Sequence, residues 1–123
     1  MKIRGTHILL VYPPIVLAFV YGAWFAAWFS LGHRPLPGLD DPKGIHGYWM
    51  WTYDVAMFLV LTAPLCFVAA IVSSASTCVA SVLRQSAERG LLFAQFIIGM
   101  LLLAVTYGIL KYDPHGIMYW MMD

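Results

Sequence analysis

Residues 91–110 read LLFAQFIIGMLLLAVTYGIL, twenty residues without one Asp, Glu, Lys or Arg. A helix rises about 1.5 Å per residue, so this run is about 30 Å long, the thickness of a bilayer's hydrocarbon core. Two further charge-free runs precede it, at residues 8–31 and 55–83. Together the three use most of a 123-residue chain and leave no room for a soluble domain. Composition agrees: 11% of residues are charged, 62% are hydrophobic and mean hydropathy is +0.79. A soluble domain carries about 25% charged residues.

The expected fold is therefore an all-α integral membrane protein, one domain over residues 1–123. Its spans lie at about 8–31, 55–83 and 91–110, with a loop at 32–54 and a tail at 111–123. Met1-Lys2-Ile3-Arg4 could open a signal peptide, but the following apolar run is too long for one and lacks a small-x-small cleavage site. It is expected to stay as an anchor. Lys2, Arg4, Arg84 and Arg89 fall on one side; Arg34, Lys43 and Lys111 fall on the other. Four basic residues against three favour a cytoplasmic N-terminus and an outer C-terminus. The expected location is the cell membrane, as a multi-pass protein.

Around the second and third runs lies a phrase written twice. Asp41-Pro42-Lys43-Gly44-Ile45, followed by Tyr48-Trp49-Met50, matches Asp113-Pro114-His115-Gly116-Ile117, followed by Tyr119-Trp120-Met121. Two crossings separate the copies, so both are expected on one side of the membrane. Asp-Pro-x-Gly suits a type I β-turn: Asp at the first corner, Pro with its fixed φ at the second, Gly at the fourth. Each turn then runs into aromatic residues that favour the headgroup layer. The copies are either two short aromatic interfacial segments that anchor separately, or a pair forming one docking or ligand surface. Under the second reading the surface comprises His46, Trp49, Trp51, Asp54, His115, Tyr119 and Trp120. The tail's apolar residues 117–122 should avoid water, and Trp120 is their best anchor.

Within the spans, small residues at i, i+4 spacing mark faces where helices meet closely. Gly22 with Ala26, and Ala23 with Ala27, offer two such faces in the first span. Ala69, Ser73 and Thr77, and Ala70, Ser74 and Cys78, offer two in the second. Gly22, Ala26, Ser73 and Thr77 are the chosen packing residues. Pro13-Pro14 is expected in a first helical turn, which would start the regular helix near Tyr12 and leave residues 8–11 irregular. Arg84 and Glu88 are expected to pair on a helical turn continuing from the second span.

No residue pattern points to a reaction. None of the four His lies inside a span, as a haem held between helices would need. His33, His46 and His115 share a side with Asp40, Asp41, Asp54 and Asp113, but without metal-ligand spacing. Cys66 and Cys78 lie twelve residues apart on one span and cannot form a disulfide. No mid-span charge marks an ion path, and no basic patch points to nucleic acid. The chain is expected to be non-enzymatic: a structural or accessory subunit whose partners are the bilayer and other membrane subunits or copies of itself. The alternative is a cofactor-binding subunit holding a quinone, pigment or metal near the outer interface.

Overall fold

A computed structural model describes residues 5–45, 50–85 and 87–122. Among these residues the chain forms four helices: α1 (Gly5–Leu31), α2 (Met50–Leu83), α3 (Arg89–Tyr112) and α4 (Ile117–Met122). Three are long and apolar enough to cross a membrane, over Thr6–Leu31, Trp51–Leu83 and Arg89–Tyr112. Helices are the form such runs must take, because hydrocarbon offers the backbone no hydrogen-bond partners. α2 begins at Met50, so Trp51, Tyr53 and Asp54 are helical rather than part of the loop.

The contact faces follow a seven-residue repeat. Along α1 the buried residues Thr6, Leu9, Pro13, Val16, Val20, Ala23 and Ala27 alternate in steps of three and four. On α3 the buried Leu92, Gly99 and Thr106 are spaced by seven, as are Ala56, Ala63 and Ala70 on α2. This is the spacing of helices packed at a shallow crossing angle, ridges of one in grooves of the next. Small side chains on the seam let the backbones approach.

α1 packs against both other long helices. Thr6 Oγ1 donates to Gln95 Oε1 at 3.1 Å, and Leu9 lies against Gly99, so α1 and α3 run parallel. Tyr12 meets Phe67 and Phe19 meets Trp51 edge-on, at 5.5 and 6.5 Å between ring centroids, so α1 and α2 run antiparallel. Among the described residues every buried side-chain nitrogen and oxygen has a hydrogen-bond partner. Ser74, fully buried, donates to Ala70 O at 2.6 Å, and Ser81 to Cys78 O at 2.7 Å.

Several expectations need correction. α1 is helical from Gly5 and carries Pro13 and Pro14 in its interior. The turns before the prolines are held by tertiary contacts, Thr6 to Gln95 and Leu9 to Gly99, and an irregular entry would break them. Gly22 is exposed with open space where a Cβ would point, whereas Ala23, Ala26 and Ala27 are buried. On α2, Ser73 is exposed and Thr77 half-exposed, and the buried register is Ala70, Ser74 and Cys78. α2 stops at Leu83, and Gln85 adopts φ 47, so Arg84 and Glu88 do not share a continuing helix. At the other end of the bundle α1 closes on Gly32, φ 73, whose N–H bonds to Trp28 O at 2.9 Å. Only glycine takes that left-handed position without a Cβ penalty.

Candidate functional site

Both Asp-Pro-x-Gly sequences close with the same backbone hydrogen bond. Gly44 N–H donates to Asp41 O at 2.9 Å, and Gly116 N–H donates to Asp113 O at 3.0 Å. The carboxylates then do different things. In the first turn Asp41 Oδ1 accepts from Lys43 N–H at 2.8 Å, tightening the turn itself. In the second, Asp113 Oδ1 accepts from Met118 N–H at 3.0 Å and Oδ2 from Tyr119 N–H at 2.9 Å. Those are orphan donors of a helix start, so the second Asp caps α4. Asp113 also ends α3: its backbone is left-handed, φ 42 and ψ 58, and its N–H bonds to Ile109 O. Asp tolerates that conformation better than most residues.

One residue thus stops α3 and starts α4, and the chain folds back over the bundle. α4 buries Ile117, Trp120 and Met121 and leaves Tyr119 and Met122 exposed. The buried three join a cluster with Val16, Val20, Ala23, Trp24 and Ala27 of α1 and Ala56 of α2. Trp120 is 1% exposed, and its indole N–H donates to Asp40 O at 2.8 Å. Asp40 directly precedes the first turn, so the second copy of the phrase is bonded to the loop next to the first.

Further hydrogen bonds hold the tail. Tyr53 Oη donates to Met121 O at 3.1 Å, with its ring edge-on to Trp120. The Arg34 guanidinium donates to His115 O at 2.7 Å and lies 5.7 Å from the centre of the Trp24 ring, within cation–π range. The loop is braced as well. Leu36 N–H donates to Asp40 Oδ2 at 2.9 Å, and His33 Nδ1 lies 3.8 Å from the same oxygen. Loop and tail therefore lie at the same end of the bundle and close it.

The surface inferred from sequence is only partly gathered. Trp120 is central, and His115 contributes its backbone carbonyl while its ring meets Tyr21 at 6.0 Å. Tyr119 and Asp54 are exposed, and Trp51, half-exposed, meets Phe19 rather than the tail. His46 and Trp49 lie outside the described residues. Among the described residues, no three His, Cys, Asp or Glu side chains converge as a metal site would require. Arg34, Asp40 and Tyr53 belong to the docking site, although sequence reasoning did not select them. All three contacts end on backbone carbonyls, of His115, Asp40 and Met121, which no side-chain motif reveals. Comparison with protein-family models, curated proteins and solved structures finds no match.

Proposed function

We propose that this chain is a structural or accessory subunit of a larger membrane assembly, held in the cell membrane with its N-terminus cytoplasmic. The observation that carries the reading is a second small-residue face on α2. Ala69, Ser73 and Ser76 are exposed and Ala80 is half-exposed, in steps of four, three and four, turned away from the chain's own seam. Ser76 and Ala80 line a shallow groove walled by Ile71, Val72, Val79 and Leu83. The exposed face of α3 carries mostly bulkier residues, Ile97, Ile98, Leu101 and Val105, beside Ala94 and Ala104. Hydrocarbon gives helices no hydrophobic reason to associate, so close approach across small residues is what drives contact. The exposed Trp51, Tyr119 and Met122 add apolar surface outside that groove.

Neighbouring serines provide the test. Ser74 is 0% exposed, so Ser74→Leu should damage the chain's own fold, by about 1–3 kcal/mol. Ser73→Leu should leave the isolated chain's thermal stability unchanged and weaken assembly by about 1–2 kcal/mol. Native mass spectrometry from a gentle detergent should show wild type above the 13.8 kDa of one chain, and Ser73→Leu shifted towards it. Wild type running as a single chain, or Ser73→Leu matching wild type, would overturn the reading.

A further inference from the structure

At its C-terminal end α1 carries a groove of about 380 Å³ lined by Phe25, Trp28, Phe29 and Gly32. That volume falls in the range of small-molecule sites, about 300–1,000 Å³. The Phe25 and Trp28 rings are nearly parallel, 8° apart, with centroids separated by 6.2 Å. Phe29 forms an outer wall and is 83% exposed. At Gly32 nothing lies within 4 Å of where a Cβ would point, so the groove is open towards the end of the helix. Three of the four lining residues fall within the candidate span Thr6–Leu31. A bilayer crossed by that span would offer these three side chains acyl chains as neighbours.

A cation lies one ring away from the groove, across Trp24. Trp24 packs edge-on behind Phe25 and Trp28, at 5.2 and 5.0 Å, and the Arg34 guanidinium lies over Trp24. Arg34 follows the groove residue Gly32 by two positions and lies past the end of α1 and of its candidate span. Its hydrogen bond to His115 O and its contact with Trp24 hold it in place. The side chain is nevertheless exposed, and among the described residues no carboxylate pairs with it. The nearest acid along the loop, Asp40, is engaged with Leu36 N–H and faces His33. A guanidinium has five N–H donors in a planar fork that matches phosphate oxygens. The site therefore sets an apolar slot beside a cation that is held in place and that no described carboxylate pairs with.

We propose that this end of α1 binds one anionic phospholipid, its phosphate on Arg34 and one acyl chain along Phe25, Trp28 and Phe29. Charge complementarity selects the headgroup, and depth in the span selects the chain.

The test uses the full-length protein, delipidated in detergent and titrated with phosphatidylglycerol, phosphatidylcholine or inorganic phosphate under native mass spectrometry. Wild type should retain one phosphatidylglycerol, bound about five- to tenfold more tightly than phosphatidylcholine. Arg34→Gln should remove that preference. Phe29→Ala alters only a mostly exposed wall, so it reports on the groove even if Arg34→Gln loosens the tail; it should weaken retention several-fold. Inorganic phosphate should not displace the lipid. Several equivalent lipids insensitive to both substitutions would mean annular lipid only, and displacement by phosphate would mean a headgroup site without a chain. Either result overturns the proposal.

Discussion

Trp120→Ala should lower the unfolding free energy by about 3–5 kcal/mol, the usual cost of emptying a buried aromatic site. Trp120 is 1% exposed and lies in the tail beyond α3, where water is the alternative environment. The substitution also deprives Asp40 O of its indole donor and removes the ring that Tyr53 meets edge-on. α4 has six residues, too few to persist as a helix without tertiary contacts. Loss of the anchor should therefore release the whole segment. Tyr119→Ala is the control: at 68% exposure it should change stability by no more than about 0.5 kcal/mol. Trp120→Phe should fall between them, losing about 1 kcal/mol for the hydrogen bond while keeping most of the buried ring. Chemical or thermal unfolding in detergent reads all three. Equal effects from Trp120→Ala and Tyr119→Ala would mean that the tail is not docked.

Gly99→Val should separate α1 from α3. An ideal Cβ on Gly99 would lie 2.7 Å from Leu9 Cγ, 2.9 Å from Cδ2 and 3.2 Å from Cβ. Even Gly99→Ala forces Leu9 to move, at a cost of about 1–3 kcal/mol, and the β-branched valine should exceed that. The contact lies one turn from the Thr6–Gln95 hydrogen bond, so opening one endangers the other. Gly22→Ala, into open space, should be tolerated. The pair Leu9→Ala and Gly99→Ala gives the stronger evidence. Leu9→Ala makes room for the new methyl group, so the double variant should be more stable than the two single losses added together. Strict additivity, measured by unfolding in detergent, would mean that these residues do not touch.

The spans were legible because charge is excluded from hydrocarbon, and the breaks at Arg34, Lys43, Arg84 and Arg89 bracket them. The turns were legible because Asp-Pro-x-Gly supplies each corner's chemistry locally; both form the expected Gly N–H to Asp O bond. Which face of each helix packs was harder to read. Lipid and bundle interior are both apolar, so hydrophobicity does not distinguish them, and neighbouring registers differ by one residue. Ser73 and Thr77 compete with Ser74 and Cys78 on that basis, and Gly22 with Ala23. The seven-residue spacing of Leu92, Gly99 and Thr106 was available in the sequence, but becomes informative only beside the matching seam on α1. The tail showed its need for burial through residues 117–122. Its place depends on the Tyr53 hydroxyl and the Asp40 carbonyl, groups that turn or aromatic patterns do not mark.

The central claim is that loop and tail meet at one end of a three-span bundle, and short-range cross-linking tests it most directly. A Cβ on Gly116 would lie 3.9 Å from Pro37 Cγ. Gly116 has φ +67, so a side chain there costs about 1–2 kcal/mol, less than the docking contacts contribute. With Cys66 and Cys78 replaced by Ala, the pair Pro37→Cys and Gly116→Cys should be joined by a short bismaleimide within one chain in lipid bilayers. Peptide mass spectrometry should find residues 37 and 116 linked in most molecules. If both thiols react with a monofunctional maleimide yet no link forms, the tail does not lie against the loop and the account is wrong.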